Sequence, residues 1–146
     1  MKTPLSLLGA CLVLGLAGCG GAPPAVQAGD LLDAPTTLNL GGTLLSADAL
    51  PMVGNDVLKV QVKVRAQRSA LPAVRLTNVY AVTTDGVWSA ALAPVAAPKC
   101  GGTCALAVGR APANGIRPGD GVQIVIGVQD QLGRSYLLRD VPDRMR

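Results

Sequence analysis

The sequence predicts an antiparallel, all-β sandwich of about seven strands. Three observations carry that expectation. Apolar and polar residues alternate over Val57–Ala66 and again over residues 122–128, which is the period of a half-buried strand. Thr84-Asp85-Gly86-Val87 lies between two apolar runs and reads as a hairpin turn. Prolines at 51, 72, 94, 98, 112 and 118 break every candidate helix, and no stretch shows a convincing amphipathic helical period.

The chain opens on Met1-Lys2-Thr3 and an apolar run over residues 5–17. One cation, a short apolar core and small residues after it describe a secretory signal. The run is too short for a bilayer span of about 20 residues. Its end, Leu16-Ala17-Gly18-Cys19, resembles the lipobox of bacterial lipoproteins. The resemblance implies cleavage before Cys19 and diacylation of its sulfur, and therefore a membrane partner through the lipid anchor. Two or more acyl chains anchor stably where one does not. Residue 20 is Gly rather than Asp. In the Gram-negative sorting rule this implies the outer membrane of the cell envelope, where the source has one.

Residues 1–18 are thus expected to be the signal and 19–35 a lipidated cysteine with a flexible tether. The Gly/Ala/Pro-rich stretch from residue 20 has no period with which to bury a face. A β domain is expected over 36–142 and a basic tail over 143–146. A chain beginning near Thr36 is expected to fold alone.

Within the domain, residues 37–45 form an expected first strand, kinked at Gly41-Gly42. Val57–Ala66 is the clearest strand. Leu58, Val60, Val62, Val64 and Ala66 point one way; Lys59, Gln61, Lys63 and Arg65 point the other. A two-residue Asp85-Gly86 loop would pair Thr84 with Val87 and Thr83 with Trp88. That places Val79, Ala81, Trp88, Ala90 and Leu92 on one apolar face that can bury the only tryptophan. Residues 104–108 read as a short strand. Over 122–128, Val122, Ile124, Ile126 and Val128 face inward. Val125 faces outward, so this strand is expected to be central and covered on both sides. Asp130-Gln131-Leu132-Gly133 reads as a turn and residues 134–139 as the last strand.

Ile116-Arg117-Pro118-Gly119-Asp120, the alternating strand, a turn and a final strand together resemble the end of immunoglobulin-like and fibronectin type III-like domains. The match covers roughly residues 115–139 and implies an immunoglobulin-like sandwich. It is a pattern of fold, not of function: Val122 stands where fibronectin domains carry tyrosine. A transthyretin-like sandwich or a small barrel is the alternative.

Composition excludes whole classes of chemistry. All nine acids are Asp, and there is no His. A His-dependent triad, a His-ligated metal and a Glu acid/base pair are therefore impossible, and no enzyme activity is expected. Trp88, Tyr80 and Tyr136 are the only aromatics, too few for a nucleic-acid stacking platform. No cofactor is implied. The Asp residues lie mostly in turn contexts, which turn chemistry accounts for. With Cys11 in the signal and Cys19 given to lipid, Cys100 and Cys104 remain. An even pair in an oxidising compartment reads as a disulfide; a redox-active pair and a two-thiolate metal site are the other readings. Net charge is +4. Lys59, Lys63 and Arg65, with Arg68 and Arg75, read as a cationic face on two neighbouring strands, either solvated or touching an anionic headgroup or envelope polymer.

The expectation for function is a lipid-anchored envelope module that binds a protein or polymer partner or serves a structural role. The alternative is an envelope carrier or chaperone for a small ligand or metal, using Cys100 and Cys104 or a loop pocket.

Overall fold

Alternating hydropathy fixes which side of each strand is dry, and turn residues fix which strands meet. The structure, a computed structural model, describes residues 26–96 and 100–141. These hold one short helix, α1 (Ala28–Leu32), and eight strands: β1 (Leu38–Leu40), β2 (Thr43–Gly54), β3 (Val57–Ala66), β4 (Arg75–Thr83), β5 (Gly86–Val95), β6 (Cys104–Pro112), β7 (Gln123–Gln129) and β8 (Ser135–Arg139). All strand pairs are antiparallel, in the order β1-β2-β3-β6-β5-β4-β7-β8. The run β3-β6-β5-β4 is a Greek key: three hairpin-linked strands, with β3 laid beside the last of them.

The all-β expectation therefore holds. The sheet is continuous and curls until it is nearly a barrel. Strand β5 makes the bend, because Gly86 to Ala91 pair with β4 whereas Leu92 to Val95 pair with β6. One wall is β2-β3-β6 and the opposite wall is β4-β7-β8. Their inner faces share one core that includes Leu58, Val60, Val62, Val79, Ile126 and Leu138. The walls come very close at Gly109. A Cβ there would lie 2.6 Å from Val79 Cγ1, so only glycine fits without displacement.

The hairpins correct the sequence expectation in detail. Gly41 and Gly42 do not kink one strand. Both have positive φ and form a two-residue turn between β1 and β2, with Asn39 Oδ1 accepting from the Gly42 amide at 2.9 Å. Asn55 and Asp56, at φ 52° and 59°, make the β2–β3 turn. Two consecutive positive φ values are what a type I′ turn requires, and Asn and Asp tolerate them. In the β4–β5 hairpin the loop is Thr84-Asp85, with Thr83 opposite Gly86 and Ala81 opposite Trp88. The Thr83 hydroxyl holds this loop: it accepts from the Asp85 amide and donates to the Gly86 carbonyl. Shifting the loop by one residue moves each pair by two positions. The inward set of Val79, Ala81, Trp88 and Leu92 is therefore unchanged, and all four are buried.

The expected tether extends less far than residue 35. Residues from Ala28 fold onto the β4-β7-β8 wall, where Leu31 and Ala34 pack on Val82 and Val125. The Arg139 amide donates to the Pro35 carbonyl at 2.8 Å, and Arg139 Nε donates to the Ala34 carbonyl at 3.1 Å. Val125 is buried, as expected of a strand covered on both sides. The cover is this helix.

Candidate functional site

The outward residues of β3 fall between two neighbours, so the structure settles what surrounds each cation. Lys59 stands between Met52 and Arg110, and Lys63 between Asp48 and Leu106. Gln61 lies between Leu50 and Val108, and Arg65 between Ser46 and Cys104. Lys59, Lys63 and Arg65 are thus on one surface, as the alternation predicts. Arg65 forms an ion pair with Asp48. No ion pair joins Lys59, Lys63 or Arg110 to an acid among the described residues.

Arg110 is a member that sequence reasoning missed. Strand β6 was expected to stop at 108; it runs to Pro112, and Leu106, Val108 and Arg110 continue one alternation. Arg75 leaves the group. Strand β4 is not beside β3, whose neighbours are β2 and β6, so the expected cluster on two adjacent strands reduces to β3 with β6.

Around Gln61, which lies between Lys59 and Lys63, the wall is apolar. Leu50, Val95, Leu106 and Val108, with Lys63 and Asp48 at one side, line a shallow groove of about 280 Å³. Leu50 is 50% exposed, and Met52 and Val57 are each 38% exposed. No other described element covers this wall, whereas α1 covers the opposite one.

Cys100 and Cys104 are joined as a disulfide, with Cα atoms 5.5 Å apart. Gly101 and Gly102 both take positive φ in the enclosed loop, and Thr103 Oγ1 donates to the Cys100 carbonyl at 2.6 Å. The loop also supports its neighbours. The carbonyls of Thr103 and Gly102 accept from the amides of Ala66 and Leu71, both at 3.0 Å, where the chain leaves β3. Bonded sulfurs offer no thiolate pair to a metal. Closing so short a loop contributes about 2 kcal/mol through the unfolded chain. Cys100→Ser with Cys104→Ser should lower the urea-unfolding free energy by about that amount and leave the β spectrum intact. A loss above about 4 kcal/mol would mean that the loop organises far more of the sheet than these two hydrogen bonds.

A second depression, about 600 Å³, lies between the β1–β2 and β7–β8 turns and includes Asp130, Leu132, Arg134 and Tyr136. Its carboxylate is already engaged. Asp130 Oδ1 accepts from the Leu132 and Arg134 amides, and Oδ2 accepts from Arg134 Nε and the Tyr136 hydroxyl. Burial raises the Asp130 pKa, but the Arg134 hydrogen bonds and charge outweigh it and hold the carboxyl below its ordinary value. Asp120 is likewise occupied, accepting from the Arg117 amide at 2.8 Å. Among the described residues, no three His, Cys, Asp or Glu side chains gather as a metal site.

Leu16, Ala17, Gly18 and Cys19 of the lipobox, Cys11, Lys99, Arg144 and Arg146 lie outside the described residues. No protein-family model, curated protein or solved structure matches this chain.

Proposed function

We propose that the chain is a lipid-anchored protein of the cell envelope whose folded part is a non-catalytic binding module. The wall β2-β3-β6 is its contact surface. One observation carries the contact reading. The sheet has two outer faces; one is covered by α1, and the other combines exposed Leu50 and Met52 with Lys59, Lys63, Arg65 and Arg110. Exposed apolar groups rimmed by charge mark interaction sites on small domains. The anchor rests on Leu16-Ala17-Gly18-Cys19, and the outer-membrane address on Gly20. A carrier role through Cys100 and Cys104 would first require reduction of their bond. On architecture, we read the curled sheet as an immunoglobulin-like sandwich whose walls share β5; the alternation over residues 122–128 and the strand after it support that reading.

Cys19→Ser removes the sulfur that would receive the diacylglycerol. Cells fed labelled fatty acid should label the parent chain and not the variant, and the variant should leave the membrane fraction or remain unprocessed. Equal labelling of both chains would refute the anchor.

A further inference from the structure

We infer that the β2-β3-β6 wall docks on the surface of an anionic phospholipid bilayer, an assignment of partner that rests on the contact surface proposed above. The charge is the first argument. Lys59, Lys63, Arg65 and Arg110 against Asp48 and the turn residue Asp56 leave this wall at +2. On the opposite wall Asp30 and Asp33 are balanced by Arg75 and Arg139. A negative surface therefore attracts one side of the domain and orients it.

The second argument is apolar. Leu50, Met52 and Val57 project from the outward side of the β2–β3 hairpin, next to the Asn55-Asp56 turn, with Lys59 and Arg110 alongside. A hydrophilic polyanion gains nothing from these side chains. A bilayer surface takes both groups at once: phosphates meet the ammonium and guanidinium groups, and the aliphatic tips enter the headgroup–acyl boundary. Lys59 and Lys63 are half-buried, and lysine stems characteristically lie on apolar surface while the charge stays in water.

The third argument is reach. Seven residue steps separate Cys19 from Val26, the first described residue, and span at most about 25 Å. An anchored domain, and with it the uncovered wall, is therefore held close to its own bilayer. The tether keeps that wall at high local concentration, so a weak contact suffices.

The test holds the full lipidated chain on phosphatidylcholine vesicles and raises phosphatidylglycerol from none to about a third of the lipid. An environment-sensitive fluorophore on Met52→Cys reports the wall. Its emission should shift to the blue as anionic lipid rises, and the shift should fade with salt. Lys59→Gln with Lys63→Gln and Arg110→Gln should raise the anionic lipid density needed, with partitioning down on the order of 100-fold. Leu50→Ser is a second variant that keeps all the charge and should weaken the shift as well. A chain that stays on the vesicles while its probe is silent overturns the docking and leaves the anchor standing. A chain that never stays on neutral vesicles refutes the anchor instead; cosedimentation with anionic vesicles then decides the docking, supported by loss in the triple variant and overturned by no binding. Soluble polyglutamate that shifts the probe as strongly as the lipid would also overturn it, in favour of an acidic protein.

Discussion

Trp88→Ala should cost about 3–5 kcal/mol of folding free energy, the range for truncating a buried aromatic. A domain of this size has roughly 5–15 kcal/mol in total, so the variant should be close to unfolding under mild denaturant. The environment explains the size. Trp88 is 5% exposed, on the inward face of β5, and the chain has no Phe to share its volume. Its indole Nε1 donates to the Pro112 carbonyl at 2.9 Å, which ties β5 to the end of β6 where β5 pairs with β4 instead. Alanine would leave both a void and that carbonyl without its donor. Trp88→Phe keeps most of the ring volume and loses the donor, so it should cost less, about 1–3 kcal/mol. Urea midpoints of the three chains check this. In the parent, indole emission should be blue-shifted and resist acrylamide. A loss within about 0.5 kcal/mol, with red and freely quenched emission, would mean that the indole is exposed as a binding anchor.

Leu31→Ala is expected to cost about 2–5 kcal/mol, although residue 31 lies in the stretch whose composition reads as tether. Leu31 has no exposed surface, and neither does Val125 beneath it. Removing the side chain uncovers the outer face of β7 at its centre. A chain starting at residue 36 should lose at least as much, because it also loses Ala34 and the Pro35 carbonyl that pairs with the Arg139 amide. The expectation that such a fragment folds alone becomes the expectation of a weakened sheet. Denaturation of Leu31→Ala within about 0.5 kcal/mol of the parent would show that α1 contributes no stability to the wall.

Strand identity was legible because alternation needs only a few residues. Val57–Ala66 coincides with β3 to the residue, and the inward sets of β3, β5 and β7 emerged from parity alone. Parity survives an error in the loop. Asp85-Gly86 is the stronger turn signal by composition, yet the Thr83 hydroxyl stabilises a loop one residue earlier, and no side chain changes face. Neighbour order was not legible. Nothing in residues 57–66 announces that β6 rather than β4 will lie beside them, so Arg75 reads as part of the surface, whereas Arg110 escapes because the strand over 104–108 reads as ending before it. Helix α1 escaped for a different reason. Five residues cannot display a helical period, and its single buried leucine is recognisable only from the hole it fills over Val125.

The Greek-key order also sets a timetable. The β2–β3 and β4–β5 hairpins have short loops and can close in about 1–10 μs. Strand β3 must then wait for β6, and β4 for β7, across intervening chain. Pairings this distant in sequence place a sheet among the slow folders, at roughly milliseconds to seconds. During that delay the free edge of β4 presents its amides and carbonyls to any other nascent strand. Crowding during synthesis is therefore the condition under which this chain is most exposed to mispairing, and the arrival of residues 123–129 ends it.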